Sequence, residues 1–311
     1  MASHPVGRIS RRQAWFGCRL NALHPILVTG GSGQIGGAFV RQAALNDIAT
    51  IAPNRTDFDL SNAGSMAAFV RASKWSAIVS CAAYTAVDRA ESEPDLARAI
   101  NAVAPGILAD EAARANIPII HVSTDYVFDG SKHEPYVETD TVNPAGVYGR
   151  TKESGEAAVR AASSNHAIIR TAWVVSAGGA NFINTMLRLG SKCTELSVVN
   201  DQVGCPSSAD DIALALLRIA ERLGDHSGTW HFVNSGEASW YDLAGHVFAA
   251  ASAKGLPVPK LIPISSAEYP SPAKRPANSR LNADKFAADF DFAPRPWQAA
   301  INNILAERLG S

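Results

Sequence analysis

The chain is poor in cysteine, and the little it has is scattered. Cys18, Cys81, Cys193 and Cys205 are the only four in 311 residues. None forms a Cys-x-x-Cys pair, so neither a zinc site nor a disulfide framework is indicated. The eight histidines show no ligand spacing, and His121, ending an apolar run, reads as a core or supporting residue and not a metal ligand. Charge of one sign is lacking too. With 28 basic against 29 acidic side chains the net charge is -1, without the basic footprint of a nucleic-acid or acidic-membrane binder. No apolar run approaches the roughly 20 residues that span a bilayer. What is present suffices for a sizeable core: 47% of the residues are hydrophobic, and the length allows about two domains.

The first 25 residues carry Arg8, Arg11, Arg12 and Arg19 and no acid. Arg19 interrupts the apolar stretch, which argues against an export signal. Residues 1–24 are set apart as a disordered extension or the product of an upstream start, in preference to a transit peptide.

From Pro25 onward strands and helices alternate. Ile26–Thr29 is an apolar run, followed by a helix from about Gly33 to Leu45. Strands are expected at Ile48–Ala52, Ala77–Cys81, Ile117–Val122 and Ala167–Arg170, and helices at Ala63–Ala72, Asp95–Ala115 and Tyr148–Ala162. This cadence predicts an α/β fold, a Rossmann-type doubly wound parallel sheet. Helices at Asn181–Leu189, Asp210–Arg222 and Trp240–Ala253 follow, with a strand at Gly228–Val233 that rejoins the main sheet. The expected division is a dinucleotide-binding domain over 25–173, with returning segments about 207–235, and a smaller, discontinuous substrate-binding domain over 174–311.

Chemistry is concentrated where strands end. Gly30, Gly33 and Gly36 have the spacing of a dinucleotide turn, in which glycine lets the backbone approach a pyrophosphate at a helix N-terminus. A nucleophile elbow around Ser32 is demoted because position 34 is Gln, not Gly. The second strand ends at Asn54-Arg55, where an Arg accommodates the 2′-phosphate of NADP, with Asp57 and Asp59 beyond; Asp59-Leu60 is expected near the adenine. The third leads into Ala82, Ala83, Tyr84 and Thr85, the fourth into Ser123, Thr124, Asp125 and Tyr126. Tyr148 and Lys152, four apart, share one helix face, where Lys152 would favour ionisation of the phenol. Thr124 polarises a carbonyl, Tyr148 delivers the proton and Lys152 holds the nicotinamide ribose.

These segments resemble the extended short-chain dehydrogenases/reductases and, more narrowly, the dTDP-4-dehydrorhamnose reductase (RmlD-like) family. The narrower likeness rests on Ala82-Ala83-Tyr84-Thr85-Ala86-Val87-Asp88 with Glu91, Ser123–Gly130, Arg170-Thr171-Ala172-Trp173, Asn200–Pro206 and Arg275–Leu281. It runs from about Pro25 to the C-terminus. The resemblance implies reduction of the C4 ketone of a dTDP-4-dehydro-L-rhamnose substrate with NADPH, or NADH, in nucleotide-sugar biosynthesis. It implies catalytic roles for Thr124, Tyr148 and Lys152. Gly30, Gly33, Gln34, Ile35, Ala82, Ala83 and Thr85 would bind cofactor, and Asp125, Tyr126, Trp173, Gln202 and Arg275 would lie toward the sugar nucleotide. A cytoplasmic address and a monomer or homodimer are expected.

Two departures stand out. Ser80-Cys81 occupies a place where relatives often have Asn-Ala. Some relatives bind Mg2+ through glutamates at a dimer contact, whereas Ala38 and Asp210 stand at two such positions here, so no Mg2+ requirement is expected. The alternatives are an NADP-binding regulatory subunit, which would need no Thr-Tyr-Lys set, and a nucleotide-sugar epimerase or another reductase on the same scaffold.

Overall fold

The computed structural model describes residues 24–223 and 226–310. The extension read over residues 1–24 thus lies, apart from His24, outside the described residues. Six parallel strands form the central sheet: β1 (Ile26–Thr29), β2 (Thr50–Ile51), β3 (Ala77–Ser80), β4 (Ile119–Thr124), β5 (His166–Thr171) and β6 (Gly228–His231). Their spatial order is β6-β5-β4-β3-β1-β2. The order reverses beside β1, which opens the crevice that such folds use for ligands.

The sequence alternates within each strand, and the alternation sorts the core. Ile26, Val28, Ala77, Val79, Ile120, Val122, Ala167 and Ile169 pack on one face with Phe39, Ile212, Leu216 and Phe286. Leu27, Ile78, Ile119 and Ile168 face the other way, against Met66, Val70, Leu108, Ala112 and Val159. A parallel sheet buried on both sides needs such doubly apolar strands. Helices Gln34–Leu45 and Ala209–Arg222 therefore cover one face, and Ala63–Arg71, Ala104–Arg114 and Val147–Ala162 the other. Each fully buried leucine or isoleucine contributes about 1.5–3 kcal/mol.

Several boundaries differ from the sequence reading for physical reasons. The expected helix Asp95–Ala115 is interrupted by a π-helical turn at Ala99–Val103. Pro105 lacks the N–H that would close an α-turn on the Asn101 carbonyl, so the helix widens there. The fourth strand continues to Thr124, two residues past Val122, and the second shrinks to Thr50–Ile51 at the sheet edge. Lys260–Ile264 pairs in parallel with Glu195–Val199, a strand pair absent from the sequence reading. A two-stranded sheet is all edge, and an edge tolerates the donor that Pro263 lacks.

A third apolar cluster lies outside the sheet. Val175, Ile183, Met186, Leu243, Val247, Trp297, Ile301 and Ile304 form its centre. It gathers helices Phe182–Gly190, Trp240–Ala253 and Trp297–Leu309. The segment 172–181 runs from the end of β5 toward this cluster along the crevice.

Candidate active site

At the carboxyl end of β1 the backbone turns at Gly30, φ +73°. A Cβ there would lie 2.8 Å from Ala82 Cα, and one at Gly36 would lie 2.2 Å from the Gly30 carbonyl oxygen. Only glycine permits either approach. The helix Gln34–Leu45 starts immediately afterwards with Gly33 as N-cap, no capping side chain and no acid in its first turn. Its first amides are free to receive an anion, reinforced by the helix dipole.

A crevice of about 1090 Å³ runs from this turn along the strand ends. Gly30, Gly33, Gln34, Ile35, Arg55, Asp59, Leu60, Ala82, Ala83 and Thr85 line one stretch of it. Thr124, Asp125, Tyr126, Tyr148, Lys152 and Trp173 line another. Gln202 and Arg275 are not among its lining residues. The Gln202 side-chain oxygen accepts from Trp240 Nε1 at 3.2 Å, and Arg275 Nη2 donates to Asp88 at 2.9 Å while its buried Nε has no hydrogen-bond partner. The Asp59 carboxylate accepts from the Ser61 amide and hydroxyl at 2.9 and 2.8 Å, which holds its pKa below the ordinary value.

Tyr148 and Lys152 lie one turn apart on Val147–Ala162, both buried. Burial pushes the Tyr148 phenol upward, with the neighbouring Thr124 hydroxyl opposing and Asp125 and Tyr126 adding to the rise. The net shift is therefore upward, opposite to the lowering expected from Lys152. The Lys152 ammonium donates instead to the Val122 carbonyl at 2.7 Å and to His121 Nε2 at 3.3 Å. Burial brings its pKa down from 10.5 to about 8, against Glu156 and Cys81, which raise it. Tyr148 thus stands as a protonated phenol, a donor at neutral pH.

Thr124 ends β4. Its hydroxyl donates to Asp125 Oδ1 at 2.9 Å and accepts from the Tyr126 amide at 3.2 Å. Burial raises Asp125 to about 6, opposed by hydrogen bonds from Ser279 and Thr124. Directly across the ladder from Thr124 is Thr171, whose buried hydroxyl has no hydrogen-bond partner. Beyond it Trp173 takes a left-handed backbone, φ +48°, and stacks on Trp240 with ring centroids 3.5 Å apart. An aromatic residue in that conformation is strained, and such strain concentrates at functional sites.

One supporting residue, Asn101, escaped the sequence reading, and so did the contacts that Glu91 and Gln34 make. Asn101, on the π-turn, bonds both backbone groups of Tyr84 at 2.8 and 3.1 Å and donates to Thr151 at 3.1 Å, joining the loop after β3 to the Tyr148 helix. The Glu91 carboxylate accepts the Val147 amide at 2.8 Å and so caps that helix from a distance. Gln34 accepts from Ser176 at 2.8 Å and Asn181 at 3.0 Å, tying the glycine turn to the segment beyond Trp173. Proline and glycine nearby signal turns, but partners this far apart in sequence leave no local pattern.

Among the described residues no group of three or more His, Cys, Asp or Glu is placed to hold a metal. Asp210 accepts from Arg41 at 3.0 Å and Gln42 at 3.4 Å, and Ala38 is buried in the core.

The arrangement has known counterparts. The family described as RmlD substrate binding domain matches residues 24–309. A dTDP-4-dehydrorhamnose reductase of Sinorhizobium fredii is 46% identical over 285 residues, 90% of this chain and 96% of the relative. A crystal structure of a dTDP-4-dehydrorhamnose reductase from Clostridium acetobutylicum superposes with TM-score 0.86 at 37% identity, covering 91% of this chain and 99% of the other. The enzyme of that name from Bacillus anthracis, solved in complex with NADP, gives TM-score 0.86 at 29% identity, with 91% and 99% covered. With its glycine turn, crevice and Thr-Tyr-Lys set on a fold matched over nearly its whole length, the chain belongs to the dTDP-4-dehydrorhamnose reductase family.

Proposed function

We propose that the chain is an oxidoreductase that reduces the C4 ketone of dTDP-4-dehydro-L-rhamnose to dTDP-L-rhamnose with NADPH. The single observation that carries the reading is the Tyr148 phenol, one helical turn from Lys152, lining with Thr124 the crevice that begins at the glycine turn. The residues present fit a dinucleotide: an uncapped helix N-terminus for the pyrophosphate, Arg55 for a 2′-phosphate, and Lys152 with one of its three donors still available for a ribose diol. A nicotinamide bound there would supply a hydride to the carbonyl carbon.

The protein's own residues handle the oxygen. Tyr148 donates its proton to the alkoxide that develops there, and the Thr124 hydroxyl turns from Asp125 to the same oxygen. The Lys152 ammonium stabilises the phenolate left behind. Trp173, backed by Trp240, offers an apolar face to the deoxysugar, and the third cluster with the segment 174–181 forms the substrate side. Arg55 favours NADPH over NADH; no step requires Mg2+.

The test follows loss of NADPH absorbance with dTDP-4-dehydro-L-rhamnose. Wild-type turnover is expected, and Tyr148→Phe should lose about 10²- to 10⁴-fold in kcat while still binding NADPH. A wild-type protein that binds NADPH without turnover would support a regulatory subunit instead. Epimerisation without net cofactor oxidation would support the epimerase.

A further inference from the structure

Beneath Lys152 lies a polar chain that the chemistry above does not use. His121 on β4 is fully buried; its Nε2 lies 3.3 Å from Lys152 Nζ and its Nδ1 3.2 Å from the Ser80 hydroxyl on β3. An ammonium has donors only, so Nε2 must accept. The imidazole is therefore neutral with its proton on Nδ1, and Ser80 oxygen accepts that proton. We infer that His121, held in this tautomer by Ser80, is a positioning residue that seats the Lys152 ammonium from below and leaves its third N–H facing the crevice, toward a ribose diol. The inference rests on the reading of Lys152 as a cofactor-holding residue.

The surroundings leave this task to His121. Glu156, one turn along the helix, faces Lys152, but its carboxylate accepts from Arg170 at 2.9 and 2.7 Å, from Arg160 at 3.1 Å and from Ser123 at 2.6 Å. The Cys81 thiol beside Lys152 is pushed by burial to about 12 and stays protonated, as does Tyr148. Among the described residues the acceptors of the ammonium are thus the Val122 carbonyl and His121. A carboxylate in place of the imidazole would neutralise the ammonium, whereas a neutral acceptor orients it and leaves its charge available. Desolvation, with Lys152 adding to it, holds His121 far below the ordinary histidine value, so the acceptor persists across the working pH range.

The experiment combines imidazole 15N NMR of the ligand-free full chain with kinetics of two variants. His121 is expected as the neutral Nδ1–H tautomer at neutral pH. His121→Phe should lower kcat/KM for NADPH on the order of 10- to 100-fold and move the alkaline limb of its pH profile down by about one pH unit. His121→Gln, which keeps an acceptor oxygen, should return the limb to its wild-type position and kcat/KM to within about 3-fold. An Nε2–H tautomer, a wild-type limb in the Phe variant, or a Gln variant as impaired as the Phe variant would each overturn the inference. Should the Phe variant fail to fold, the tautomer and the Gln variant decide. The tautomer is read without substrate, so its failure is distinct from a failure of the reductase reading.

Discussion

Lys152 is charged at neutral pH, yet it is buried, and the conflict should be measurable as stability. Desolvation lowers its pKa from 10.5 to about 8 in the folded chain. Between those values the unfolded chain holds a proton that the folded chain has released, so stability gains as pH rises through the interval. At about 1.36 kcal/mol per pH unit the full interval amounts to about 3 kcal/mol, of which about 2 kcal/mol is realised by about pH 9.5. Lys152→Met removes the titration. It also strips donors from the Val122 carbonyl and His121, but that loss is constant with pH because His121 stays neutral throughout. Urea unfolding of ligand-free wild type and variant from about pH 7 to about pH 9.5 separates the two effects: the offset is the lost hydrogen bonds, the slope of the difference is the proton. The difference, wild type minus variant, should climb by about 2 kcal/mol. Parallel curves would refute the argument that burial, and not pairing, governs this lysine.

Three further outcomes follow from the same geometry. The alkaline limb of kcat/KM should report an apparent pKa of about 8 from Lys152, with no Tyr148 titration beneath it, because burial moves the phenol upward; a pH-rate series with NADPH checks both. Glu91→Ala removes the acceptor of the Val147 amide, and should cost about 1 kcal/mol in stability with faster hydrogen exchange at Val147, while Glu91→Gln retains most of the cap. Arg55→Ala should raise KM for NADPH on the order of 10-fold and leave KM for NADH unchanged, a contrast read by steady-state kinetics with the two cofactors.

What was legible in the sequence was local or periodic. The strands β1, β3, β4 and β5 announce themselves as short apolar runs whose alternate residues feed two core faces, and the glycine turn follows from a spacing that steric contacts with Ala82 and the Gly30 carbonyl enforce. Thr124, Tyr148 and Lys152 come together in one crevice because the ends of parallel strands converge and residues four apart share a helix face. The hidden parts depend on partners distant in sequence. Lys260–Ile264 is a strand only because Glu195–Val199 lies beside it, and the Asn101, Glu91 and His121 side chains acquire meaning from groups 17 to 56 residues away. Charge states were the least legible. Spacing places an ammonium near a phenol, but only burial decides which of them moves and in which direction.

That decision has a chemical consequence. Burial pushes Tyr148 up, Lys152 down and His121 down, so all three groups are displaced toward their neutral forms. For the phenol, neutral means protonated, which is the state a ketone reduction consumes; alcohol oxidation would need the phenolate. Lys152 alone must resist the displacement, since its positive charge is what makes the phenolate tolerable once the proton has left. Its remaining margin, from neutral pH to about 8, is narrow. Glu156 and Cys81 preserve that margin against burial, while the Val122 carbonyl and the neutral His121 imidazole accept the Lys152 N–H donors and contribute no negative charge of their own. Desolvation thus moves the phenol further from ionisation while Glu156 and Cys81 hold up the Lys152 charge against the same desolvation, two opposite demands met within one turn of a helix.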